Sequence, residues 1–192
     1  MGDVKVRTLW ESEGVEMRLP CGTEFEDPQP PASNHFSNVF VFHRASRCVH
    51  NDDCLAFYDS PARKMGLLVS ALGVRHGQLA FHPSLTGPGL DDPRAFESWM
   101  NRLLTDWNFD TLCTAHNGVL RGGANERCRA LLRDTAATFH MLAARIAAHG
   151  GEGGAATALT EEEKRKGEWV MAGGFAVSAA AGAVAGATCE CG

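Results

Sequence analysis

The stretch Asn38-Val39-Phe40-Val41-Phe42-His43-Arg44-Ala45-Ser46-Arg47-Cys48-Val49-His50-Asn51-Asp52-Asp53-Cys54-Leu55-Ala56-Phe57-Tyr58 decides the fold. Residues 39–42 are apolar, β-branched or aromatic, Ala45-Ser46-Arg47 turns, and Cys48-Val49-His50 resumes the extended pattern. Asn51-Asp52-Asp53 is turn chemistry, because short side-chain oxygens bond the neighbouring backbone. The spacing predicts a hairpin followed by a third strand over 54–58. That last run does not alternate with polar residues, as expected of a strand buried on both faces.

Working outward, Val4-Lys5-Val6-Arg7 and Val15-Glu16-Met17-Arg18-Leu19 alternate and predict two further short strands. The Pro-rich run Asp27-Pro28-Gln29-Pro30-Pro31 separates them from the hairpin. Three helices are predicted downstream. Ser60-Pro61 starts the first, Met65, Leu68, Val69 and Leu72 give it one face, and Gly73 stops it. Asp92-Pro93 opens the second, with Phe96, Trp99, Met100, Leu103, Leu104 and Trp107 at helical spacing. The third spans 125–149, with Cys128, Leu131, Leu132, Thr135, Phe139, Leu142 and Ile146 on one face. Between the last two lies Phe109-Asp110-Thr111-Leu112-Cys113-Thr114-Ala115, a strand that ends at His116. Strands alternating with helices indicate a layered α/β arrangement.

The chain of 192 residues suits one domain, placed at 1–149, followed by a Gly-rich linker and an Ala/Gly-rich tail over 150–192. A formal net charge of −5, with no basic block before residue 164, argues against a nucleic-acid partner. The seven cysteines form no CxxC pair, which excludes a zinc ribbon and a thioredoxin motif. Cys48, Cys54, Cys113 and Cys128 lie in apolar runs, where buried, reduced thiols are expected, and the N-terminus has no secretory apolar core. The localisation expected is cytoplasmic. The alternative is a C-terminal membrane anchor. Residues 169–188 carry no charge, Lys164-Arg165-Lys166 precedes them, and Gly182-Ala183-Val184-Ala185-Gly186 is a GxxxG pattern. Ala and Gly supply little transfer energy, so a packed or unstructured tail is the competing reading.

Three residues carry the candidate chemistry: His35 before the hairpin, Asp53 after it, and His116 at the close of the last strand. Strand ends on one edge of a sheet converge, and a His/Asp/His set suits Zn²⁺ or a similar borderline metal. Each also has an ordinary reading: His35 as an edge residue, Asp53 as a turn cap, His116 as a packed histidine. His50 and His82 read as structural or exposed, and Arg44 and Arg47 as solvated turn residues or an anion site.

The order His35, apolar strand, turn, strand, Asp53 resembles the third and fourth metal motifs of metallo-β-lactamase-fold hydrolases. The run Asp106-Trp107-Asn108-Phe109-Asp110 up to Ala115-His116-Asn117-Gly118 resembles the fifth, where a strand delivers the last histidine. The resemblance covers roughly residues 15–150. It implies the second half of an αββα sandwich, with the helices on one side of the sheet. It further implies zinc as cofactor, Asp53 as a bridging or binding carboxylate, and His35 and His116 as terminal ligands. The implied activity is hydrolysis of a small-molecule ester, amide, thioester or phosphodiester by metal-activated water. The family's HxHxDH motif and the first half of its domain have no match in this chain. The expectation is therefore an incomplete site, with no full pair of metals and the catalytic residues unassigned. The alternative is a non-catalytic binding or assembly module, self-associating through an uncovered sheet face.

Overall fold

The hairpin forms where its pattern places it. In the computed structural model, which describes residues 4–23, 38–59, 76–82, 85, 89–115 and 118–148, β2 (Phe40–His43) pairs antiparallel with β3 (Cys48–Asn51), Phe40 opposite Asn51 and His43 opposite Cys48. The turn between them is closed by the Arg47 N–H donating to the Arg44 carbonyl, with Arg47 in the left-handed region at φ 50°. That strained residue is held from outside. Its guanidinium donates to the Asn108 carbonyl and to Asn108 Oδ1, and its own carbonyl accepts from the Asp110 and Thr111 N–H groups.

Two more strands extend the hairpin on one side and one on the other. β1 (Val15–Arg18) pairs antiparallel with β2. β6 (Thr111–Thr114) lies parallel to β3, and β7 (Val119–Arg121) is antiparallel to β6, giving the order β1-β2-β3-β6-β7. The apolar run after the hairpin, β4 (Leu55–Tyr58), leaves this sheet and pairs with β5 (Gln78–Phe81) in a two-stranded sheet of its own. All four residues of β4 are buried, as its unbroken hydrophobicity requires.

Three helices complete the described chain: α1 (Val4–Ser12), α2 (Pro93–Asp106) and α3 (Ala124–Ala148). Asp92 caps α2, its Oδ1 accepting from the N–H groups of Arg94 and Ala95 at 3.0 Å, with Pro93 in the first turn. Just ahead of it the chain passes so close that only glycine fits. A Cβ on Gly22, at φ +76°, would lie 2.2 Å from the Asp92 carbonyl oxygen.

The core lies between α2, α3 and one face of the large sheet. Val49, Leu112, Phe40 and Phe42 project from the strands; Phe96, Trp99, Met100 and Leu103 come from α2, and Cys128, Leu132, Phe139 and Leu142 from α3. Aromatic contacts knit the layers: Phe40 edge-on to Trp99, Phe42 stacked on Trp107, and Phe81 and Phe96 both edge-on to Phe139. Such pairs add about 0.5–1.5 kcal/mol each beyond burial. The molecule is thus mixed α/β, with α2 and α3 on one side of its main sheet.

Three features depart from the sequence reading. Residues Val4–Arg7, expected as a strand, begin α1 instead. Four alternating residues are too few to fix a period. The Arg7–Glu11 ion pair and the Thr8 hydroxyl donating to the Val4 carbonyl satisfy helical i,i+4 spacing. In β1 the alternation is inverted at the edge of the sheet. Glu16 and Arg18 take the helix side, where Glu16 accepts from the Trp107 indole and Arg18 from its side pairs with Asp106, while Met17 stays 42% exposed. β5 and β7 have no counterpart in the reading. The helix expected over 60–73, the linker and the tail at 150–192 lie outside the described residues.

A candidate metal edge

The site begins with the one parallel pairing of the described sheets. β3 and β6 run side by side and end together, Asn51 opposite Thr114. Asn51 is fully buried, and both ends of its amide are used. Oδ1 accepts from the Leu55 N–H at 2.7 Å, and Nδ2 donates to the Cys113 carbonyl at 3.4 Å. It therefore clamps the end of β3 to β6 and closes the turn that carries Asp52 and Asp53 into β4. Half-buried Asp53 stands in that turn.

Beyond β6, Thr114 is tied to Gly118, the residue before β7. The Thr114 N–H donates to the Gly118 carbonyl, its hydroxyl donates to the same oxygen at 2.8 Å, and the Gly118 N–H returns to Oγ1 at 3.2 Å. The Asp59 carboxyl, just past β4, packs onto Gly118. A Cβ there would lie 2.6 Å from Asp59 Cγ, so a side chain at 118 would displace the acid.

Asn38 completes the described part of the edge. It lies two residues before Phe40, whose partner Asn51 lies two residues before Asp53, so both flank the last rung of the β2–β3 ladder. Asn38 is 3% exposed, and its Oδ1 is buried without a hydrogen-bond partner. Leaving such an acceptor empty costs about 1–3 kcal/mol, the usual mark of a group awaiting a water, ion or ligand.

Of the three residues expected as ligands, Asp53 is placed at this edge. His35 and His116 lie outside the described residues. Among the described residues no three His, Cys, Asp or Glu side chains gather closely enough to hold an ion. His50 projects from the exposed face of the sheet, and His43 ends β2 at the hairpin turn with Nδ1 2.7 Å from Ser46 Oγ. Cys54, next to Asp53, is fully buried. Burial first, then the charges of Asp53 and Asp52, push its thiol well above the ordinary range, so it remains protonated and is no nucleophile. Sequence reasoning passed over Asn38, Asn51 and Asp59. An acid ending a wholly apolar run was the only signal for Asp59. The two asparagines gain meaning only from burial.

At the other end of β3 lies an open depression of about 500 Å³, lined by Glu16, Arg18, Arg44, Arg47, Trp107 and Asn108 among others. Its cations are already engaged. Arg44 reaches Glu16 at 2.6 Å, Arg18 pairs with Asp106 at 2.7 Å and lies over the Trp107 ring, and Arg47 holds Asn108. An arriving anion would have to displace two carboxylates, so this cluster reads as a clamp on the edge of the sheet. Arg44 and Arg47 are both exposed, as expected of surface residues at a turn, and each is also tied through its guanidinium.

No described helix is long and apolar enough to cross a membrane. No family model, no curated protein and no solved structure matches this chain.

Proposed function

We propose that the chain is a metal-dependent, hydrolase-like domain of the metallo-β-lactamase type, forming the later part of an αββα sandwich, with its ligand edge where β3 and β6 end. One observation carries the reading. The two strands that precede Asp53 and His116 are parallel neighbours ending in register, and each residue follows its strand's last member by two positions. Asp53, His35 and His116 would hold the ion, a donor set that fits a single Zn²⁺. The buried, unpartnered Asn38 oxygen beside the Asp53 turn supports a polar occupant there. When bound, such an ion supplies Lewis-acid chemistry, acidifying water and polarising an ester, amide, thioester or phosphodiester. This chain's own part is positional. Asn51 fixes the Asp53 turn against β6, and the Thr114–Gly118 hydrogen bonds tie the end of β6 to the residue before β7.

A second reading, a binding or assembly module, is favoured by the sheet face away from the helices. Val15, Met17, Val41, Cys113 and Val119 share it, all half-buried or exposed. Calorimetric zinc titration of the metal-stripped chain, followed by sedimentation, separates the two. The hydrolase reading expects one zinc site, weakened at least about tenfold by Asp53→Ala, since a charged ligand is lost, and unchanged by His50→Ala. Equal affinity in wild type and Asp53→Ala would sink it. Stoichiometric self-association without zinc binding would favour the module.

A further inference from the structure

Cys48 opens β3, and Cys113 is the third residue of β6. The parallel register sets Cys48 opposite Thr111 and Cys113 opposite His50. The two cysteines are therefore diagonal neighbours on the sheet face turned away from α2 and α3. Their sulfurs lie 3.5 Å apart, although the residues are 65 positions apart in sequence. Both are half-buried, whereas Cys21, Cys54 and Cys128 are buried.

Two thiols so placed can close on each other or be bridged. A disulfide needs the sulfurs at about 2.05 Å and Cα atoms within about 7 Å. Neighbouring strands about 4.8 Å apart with a rise of about 3.3 Å per residue set positions offset by two residues about 8 Å apart, beyond that reach, and here both strands are fixed by their ladders. Bridging fits better. A centre bonded to both sulfurs at about 2.3 Å, the zinc–thiolate length, would see a 3.5 Å pair at an angle of about 100°, close to that of a tetrahedral or pyramidal atom. Burial, with the contact from Cys113, pushes the Cys48 thiol up to about 11, which leaves little thiolate for disulfide exchange at neutral pH.

We propose that Cys48 and Cys113 form a dithiol site that captures soft, thiophilic centres of the trivalent-arsenical class by bridging them. In the reaction with a monosubstituted arsenic(III) oxide, two As–S bonds form and the As=O bond is lost. Both thiol protons leave with the oxygen as one water, and no atom changes oxidation state. No oxidant is required. The site stands apart from the metal edge, lying on the opposite face of β3 from Asn51.

The test uses the full chain with Cys189→Ser and Cys191→Ser, which removes the closely spaced tail pair as a competitor. Reduced protein is titrated with phenylarsine oxide and followed by intact mass and by loss of free thiols. One adduct per chain is expected, with two thiols consumed, stable to a monothiol and reversed by a dithiol. Cys48→Ser and Cys113→Ser should each weaken capture at least tenfold, with circular dichroism confirming the fold. Should either serine variant unfold, the alanine variant at the same position serves. An adduct that survives loss of either cysteine, or no adduct on the folded chain, overturns the proposal. So does rapid, complete closure of the pair to a disulfide by a mild small-molecule disulfide, because it would show that the strands permit what the register argues against.

Discussion

Cys128 lies against the core from the first turns of α3, 1% exposed, and burial lifts its thiol from an ordinary 9.0 to about 12. The sign of the consequence follows from proton counting. Below pH 9 the thiol is protonated in both the folded and the unfolded chain and contributes no pH dependence. Between about pH 9 and pH 12 the unfolded chain ionises while the folded chain does not, so stability falls as pH rises. For this thiol alone the loss reaches about 2 kcal/mol near pH 10.5. Urea unfolding at pH 8 and near pH 10.5 should show that loss, and Cys128→Ala should remove it while lowering stability at both pH values through the lost packing. An unchanged slope in the variant would mean that Cys128 titrates normally. At this scale the sequence was partly legible. Asp53 stood out because an acid following a strand pattern has a chemical reading. Asn38 and Asn51 did not, since an asparagine in a turn and an asparagine whose amide is fully buried look alike until burial is known.

The two long helices were the most legible elements, because each carries a full apolar stripe over several turns and Asp92-Pro93 announces one start. What holds them together was not legible. α2 ends at Asp106, leaving its last carbonyls without helical partners. Asn125, on the first turn of α3, donates to the Leu104 carbonyl at 3.0 Å and to the Trp107 carbonyl at 2.8 Å, and Arg129 also donates to Leu104. Asn125→Ala should therefore cost about 1–3 kcal/mol, because the Trp107 carbonyl loses its side-chain donor and Arg129 its Asn125 acceptor, while Leu104 keeps Arg129. Asn101→Ala, whose amide only reaches back to Glu97 within an exposed turn, should cost well under 1 kcal/mol. Similar losses at both sites would show that the Asn125 contacts carry no weight. The short elements escaped detection for a plain reason. β5 buries only Phe81 well and β7 only Leu120, so neither displays enough alternation to separate a strand from a loop. α1 buries no residue at all, and its pattern carries no record of a core.

Across the whole molecule, alternating strands and helices made the α/β class legible, but not which strands would become neighbours. The pairing that builds the candidate edge joins Asn51 to a strand 62 residues away, and nothing local in either segment declares that partner. The separation also has a consequence in time. The β2–β3 hairpin needs only a short turn and is expected to form within microseconds, whereas β3 cannot meet β6 until a long intervening loop has closed. Docking of the two halves then becomes the slow event, and the edge near Asp53 is among the last parts to take shape. Stopped-flow refolding checks this order. Leu112→Ala, in β6, should slow folding little and speed unfolding markedly if the β3–β6 contact forms after the barrier. A mutant that instead slows folding in proportion to its lost stability would place the long-range pairing inside the nucleus. During synthesis the same order leaves β3 with an open edge until residue 114 has left the ribosome, an interval in which the nascent chain depends on its surroundings to keep that strand from pairing elsewhere.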